Sequence, residues 1–151
     1  MHEVTVSADA EEARALLRKK VEFLETELRQ MPPVEIPVKH YFALNTYARE
    51  ITIPKGTIIT GKIHKTEQLN ILSKGEMSVL TDGGVVRVRA PFTVVSPADT
   101  KCIAYTHEEC VWTTIHGTAS KDVDEIEALF VAQNDQEYLV FAEAQQALLE
   151  G

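Results

Sequence analysis

A chain of 151 residues with 44% hydrophobic content is the size of one ordinary domain, able to bury roughly 68–70% of the surface its unfolded form exposes. Its formal net charge of −8, with acids spread along both flanks, lacks the concentrated Lys and Arg that duplex nucleic acid or an anionic membrane requires. No apolar run of transmembrane length occurs, and MHEVTVSADAEEARALL carries acids where a signal peptide carries bases and an apolar stretch, so an unexported, cytoplasmic protein is expected.

Residues 9–31 predict a helix, with Asp9 as cap, Glu12 three positions on, and Pro32-Pro33 as the stop. Leu17, Val21, Leu24, Leu28 and Met31 fall at alternating steps of four and three. That seam is too short for an autonomous coiled coil, so it packs either on its own domain or on a symmetry mate. From Val34 to His116 the texture changes to β-branched runs: ITI at 51–53, TIIT at 57–60, SVL at 78–80, VVRV at 85–88 and VWTTIH at 111–116. Turns at Pro54-Lys55-Gly56, Lys74-Gly75 and Asp82-Gly83-Gly84 punctuate them, which is the pattern of a small all-β barrel or sandwich. Helix returns at the C-terminus, where Asp122 and Glu125 form a second capping signature and a last helix spans about Gln136 to Leu149. The expected organisation is an N-terminal helical segment (1–33), a barrel (34–117) and a C-terminal helical segment (118–151), together one compact domain.

Cys102 and Cys110 lie within one apparent hairpin, and without an export signal they are expected as reduced thiols. Lys101 beside Cys102 offers a weak case for a reactive thiol, against the commoner role of a small buried hydrophobe. Trp112 and Tyr105, alternating aromatics in strands, are expected in the core. There is no P-loop, HExxH, GxSxG or paired-Cys zinc signature.

The run Gly56-x5-Lys62-x-His64-x3-Gln68-x6-Gly75 keeps every gap of the first cupin motif, G-x5-H-x-H-x3,4-E-x6-G, with lysine and glutamine at two ligand positions. The second motif, G-x5-P-x-G-x2-H-x3-N, aligns with Pro91-x5-Pro97-x-Asp99-x2-Cys102-x3-Thr106, retaining only Pro97. Residues 41–117 thus resemble the RmlC-like cupins. The strings HKTEQLNILSKGE and SPADTKCIAYTHEECVWTTIHGT further resemble small cupin-like proteins of tailed bacteriophages. The resemblance implies an all-β cupin barrel (double-stranded β-helix, or jelly roll) with an N-terminal helix and C-terminal helices, and a viral setting without an established activity.

Carried over position by position, the four metal-ligand positions become Lys62, His64, Gln68 and Cys102, of which only His64 and Cys102 are good ligands at neutral pH. An ammonium about 4 Å from another unit positive charge is repelled by roughly 4 kcal/mol at an effective dielectric near 20, so no metal and no cofactor are expected. Rescue would need Glu67, His107 or His116. His107 lies on the opposite face from Cys102 by strand parity, whereas His116 has the right parity at a strand end.

If His64 faces inward, alternation places Lys62, Gln68 and Asn70 inward too, with Ile63, Leu69 and Ile71 outward. The polar set, with Cys102 and with Tyr41 and Arg49 near the entrance, suits a small polar or anionic ligand unless these groups merely satisfy one another. Arg49 beside Glu50 also reads as a solvated surface pair. The outward apolar set asks for cover, hence a homo-oligomer with a dimer favoured.

Three readings follow: a non-catalytic binding protein sequestering a host metabolite or nucleotide signal; a cupin enzyme; and a scaffold or virion-associated protein. The enzyme would be metal-free, with His64 as general base and Lys62 steadying an oxyanion on a sugar or nucleotide-sugar substrate, or metal-dependent with a rearranged site.

Overall fold

The computed structural model describes residues 8–81 and 83–150. The first seven residues, and Asp82 of the third expected turn, lie outside the described residues. Helix α1 spans Ala8–Leu28. Asp9 therefore sits inside the first turn beside Glu11 rather than at the cap, where both carboxylates complement the helix dipole. The apolar seam faces the chain's own barrel: Val21 is 2% exposed and Leu17, Leu24 and Leu28 are half-buried, whereas Met31 lies past the helix end and is open to solvent.

Apart from Thr57, which precedes its strand, the β-branched runs land in strands. These are β1 (Val38–Ala43), β2 (Thr46–Ile53), β3 (Ile58–Thr60), β4 (Ile63–His64), β5 (Gln68–Lys74), β6 (Glu76–Thr81), β7 (Gly84–Arg89), β8 (Phe92–Ser96), β9 (Ile103–Thr106) and β10 (Cys110–Gly117). They form a five-stranded sheet, β1-β2-β10-β5-β8, and a four-stranded sheet, β3-β9-β6-β7. From β2 onward the chain passes from one sheet to the other at almost every connection, winding around a common interior as a double-stranded β-helix does. This is the all-β cupin fold, with helices at both ends of the chain.

Sheet exchange corrects the expected Cys102–Cys110 hairpin. Strands β9 and β10 belong to different sheets, so the Glu108-Glu109 stretch turns a corner of the barrel, and both thiols are free. Gly75 closes the first motif because nothing larger fits. At φ +91° an added Cβ would lie 2.3 Å from the Glu109 carbonyl oxygen and 2.7 Å from Cys110 Sγ.

One end of the barrel is solid. Ile53, Leu72, Met77, Ala104 and Cys110 form its core, with Ile51, Ile59, Val88, Phe92 and Trp112 packed against them. Tyr105 is not among them; it points outward, half-exposed and edge-on to His107. The C-terminal segment covers another flank. Asp122 caps α2 (Val123–Phe130) by accepting from the Asp124 and Glu125 amides, β11 (Val131–Ala132) pairs with β4, and α3 (Asp135–Glu150) follows. Ile63, expected on the outer surface, is 2% exposed because Ala132 is its cross-strand partner and Ile126 is buried nearby in sequence. Among the described residues no helix is long and apolar enough to cross a membrane.

Candidate ligand-binding site

Antiparallel pairing sets side chains from neighbouring strands in rungs across the sheet, with successive inward rungs about 7 Å apart. On the inner face of the five-stranded sheet one rung is Val38, Ile51, Trp112, Leu72 and Phe92, wholly apolar and merging with the core. The next is His40, Arg49, Thr114, Asn70 and Val94. Beyond it come Tyr47 paired with His116, and Gln68 paired with Ser96. Polarity therefore switches within one rung, at the step from Leu72 to Asn70 and from Trp112 to Thr114. A cavity of about 890 Å³ spans the switch, bordered by Val38, Ile51, Trp112 and Phe92 below it and walled on the other side by Ile59, Met77, Val79, Val86 and Ala104 of the four-stranded sheet. The α1 residues Arg14, Leu17, Arg18 and Val21, and the α2 residues Ile126, Glu127 and Phe130, close over it.

Six of the seven residues singled out in the sequence line this cavity: Arg49, Lys62, His64, Gln68, Asn70 and Cys102. Tyr41 does not. It pairs with Ala48 on the outer face and is 49% exposed, one residue out of phase with the inward Phe42–Tyr47 pair. The Arg49–Glu50 surface pair also fails on parity, since Arg49 faces the cavity and Glu50 shares the opposite face with Lys39.

The lining residues differ in what they have left to offer. Asn70, 2% exposed, is fully engaged: its Nδ2 donates to Ser96 Oγ at 2.9 Å and its Oδ1 accepts from Thr114 Oγ1 at 2.7 Å. Lys62 lies in an irregular stretch before β4, so alternation does not carry it inward beside His64; it reaches to the mouth and pairs with Glu127 of α2. That contact holds the Glu127 carboxyl below its usual range. Gln68 Oε1 and His64 Nδ1, in contrast, are buried without a hydrogen-bond partner. Arg49 makes no ion pair among the described residues, yet its charge is felt at His64, Tyr47 and Glu127.

His64 stacks on His116 with ring centroids 5.9 Å apart, and His116 stacks on Phe130 at 4.4 Å. Burial, then the nearby His116 and Arg49, lower the His64 pKa to about 4; burial lowers His116 as well. Both rings are neutral at pH 7. His116 was legible from strand parity alone, whereas Glu127 and Phe130 had no sequence signal, because α2 is placed by tertiary contacts.

A cupin fold brings the question of a metal, and this donor set does not fit one. Among the described residues no three His, Cys, Asp or Glu side chains converge. Burial pushes the Cys102 thiol up to about 11, so the thiolate a metal needs is costly. The same burial, with Lys101 paired to Glu25 instead, removes the case for a reactive Cys102. His107, offered as a substitute ligand, bonds Ser78 Oγ at 2.6 Å, and Glu67 lies on a shallow outer pocket rather than in the cavity. The second motif's glycine position is Asp99, at φ +63° in the left-handed region that Asp tolerates. Its carboxylate is bound by Arg14 at 2.6 Å and Arg18 at 3.3 Å, tying α1 to the cavity mouth.

No known family and no curated protein matches the chain. Solved structures do resemble it. An RmlC-like cupin family protein with a double-stranded β-helix fold from Methanocaldococcus jannaschii is 16% identical, covering 56% of this chain and 82% of its own, at a TM-score of 0.47. A cupin superfamily protein from Desulfitobacterium hafniense is 9% identical over 58% of this chain and 82% of its own, at 0.49. The Cupin_2 domain of an XRE family transcriptional regulator from Enterobacter cloacae is 17% identical over 54% of this chain and 95% of its own, at 0.46.

Proposed function

We propose that this protein is a non-catalytic cupin that binds a small organic molecule in its barrel. The observation that carries this reading is the cavity of about 890 Å³ inside the barrel, lined by Arg49, Lys62, His64 and Gln68 among others. That volume lies within the range of small-molecule sites. Proton transfer is less well served. A base with a pKa near 4 is poorly matched to neutral pH, no carboxylate among the described residues is bonded to His64 Nδ1, and Lys62, the expected oxyanion partner, is held by Glu127. In the viral setting that the sequence resemblance implies, binding without turnover amounts to sequestration of a host metabolite or nucleotide signal.

The reading includes a homo-oligomer, with a dimer first. Tyr41, Ala48, Ile115, Leu69 and Val95 form one apolar rung across the outer face, where Tyr41 is 49% and Val95 59% exposed. Native mass spectrometry of the purified protein tests both parts. The expected spectrum is a dimer that takes up or retains a small organic molecule, with the adduct lost in His64→Ala. A retained transition metal, or turnover of a bound compound that His64→Ala abolishes, would overturn the non-catalytic reading.

A further inference from the structure

The charges around the cavity are unbalanced. Five cations line it, Arg14, Arg18, Arg49, Lys62 and Lys101, on a chain whose formal net charge is −8. Arg14 and Arg18 are held by Asp99, Lys101 by Glu25 and Lys62 by Glu127. Arg49 is left over, with no ion pair among the described residues. A cleft with an excess of one sign between low-dielectric walls concentrates ions of the other sign. This cavity therefore favours an anion, although the molecule as a whole repels one.

Register brings Glu127 to the same part of the wall. Tyr47 and Arg49 are successive inward residues of β2, about 7 Å apart. Tyr47 faces His116 across the strand pair, and Phe130 of α2 stacks on His116. Glu127 lies one helical turn before Phe130 on the same face of α2, and both line the cavity. The hydrogen bond from Lys62, with the charges of Lys62 and Arg49 behind it, holds the Glu127 carboxyl below its usual range. The cavity's own carboxylate thus stands in the field of both cations, one negative charge against two positive. The acid group of an occupant completes that balance at Arg49, and competes with Glu127 for Lys62.

The rest of the interior is largely hydrocarbon. Val38 is 40% exposed and Val86, on the facing sheet, 48%, and Ile51, Val88 and Trp112 also border the space. An inorganic ion or a wholly polar acid would leave this surface to water, whereas an acid with an apolar body covers it. We infer that the occupant is an organic acid of one negative charge with an apolar body, its acid group held by Arg49 and Lys62 and its body lying between the two sheets. Glu127 is then the resident carboxylate against which the acid group competes. This assignment deepens the binding reading above and rests on it.

Isothermal titration of the full chain at pH 7.5 with octanoate, 1-octanol, octylamine and inorganic phosphate tests it. Octanoate is expected to bind about tenfold more tightly than 1-octanol, the worth of one charge contact. Octylamine, which enters as a cation, and phosphate, which has no apolar body, are expected to bind roughly a hundredfold more weakly than octanoate. The ratio of octanoate to octanol affinity reads the acid contact separately from any damage to the barrel. Arg49→Gln, at an exposed position, should bring that ratio down to about one, and Glu127→Gln, which frees Lys62, should widen it to about thirtyfold. Wild-type protein that binds octanol or octylamine as tightly as octanoate, or phosphate better than any of them, overturns the assignment and leaves a binding cavity. A Glu127→Gln ratio no wider than that of wild type overturns the competition between carboxylates. Failure of all four probes overturns the whole assignment; a small molecule still retained in the native mass spectrum then keeps the binding reading, and a bare spectrum removes both.

Discussion

Two rungs of the same sheet, built from the same strands, do opposite work. Around Leu72, which is 0% exposed, the apolar rung joins Ile53 and Met77 in the core, although its Val38, Ile51, Trp112 and Phe92 also line the cavity. The Gln68 and His116 end is nearly as buried, at 7% and 8%, yet it borders open space and holds an acceptor with nothing to accept. Similar burial thus has two meanings. At the first end it stabilises the fold; at the second it leaves an acceptor unpaired, which the binding reading takes as kept for an occupant. Between them lies the Asn70 rung, in which Asn70 itself is satisfied by Ser96 and Thr114.

The comparison predicts a ladder of effects. Leu72→Ala should cost about 2–5 kcal/mol, the range for a large-to-small change in a packed core, read by urea denaturation. Acid should act at the cavity end. The unfolded chain takes up a proton at His64 near pH 6.5 and the folded protein only near pH 4, so stability is full above pH 6.5 and falls as pH drops from about 6.5 to about 4. The loss is about 3 kcal/mol; His64→Phe should flatten that window, with His116 contributing the remainder in the same direction. Asn70→Ala strands two hydroxyl groups and should cost about 1–3 kcal/mol, less than Leu72→Ala. Equal costs for these two would mean that the polar rung belongs to the core and that the division between the two ends is misplaced.

Much of this was legible in the sequence where spacing alone decides. Gly56, Gly75 and Pro97 at motif intervals indicated the barrel, and parity put Gln68 and Asn70 on one face, whereas Arg49 was placed near the entrance and otherwise read as a surface pair with Glu50. Parity failed where the strand was not regular: Lys62 precedes a strand only two residues long, so its direction follows Glu127 rather than alternation. Tyr41 failed differently. Its strand is regular, but the inward phase of β1 is fixed by the long-range pairing of Phe42 with Tyr47. The lid formed by α1 and α2 was invisible for the same reason, since Arg14 and Arg18 find Asp99 more than eighty residues away.

The smallest effect tests the central claim most directly, because its sign is opposite to that of an ordinary buried substitution. Gln68→Leu removes an unpaired buried acceptor at nearly constant volume, so without ligand it should stabilise the protein by about 1 kcal/mol, a melting temperature higher by about 2–4 °C for a chain of this size. The measurement is the thermal unfolding of ligand-free wild type and Gln68→Leu side by side. A higher midpoint for the variant is the expected result, the mark of a residue kept for an occupant at the fold's expense. A midpoint several degrees lower would show that Gln68 has partners the fold depends on, and would contradict the claim that this end of the barrel is built to bind.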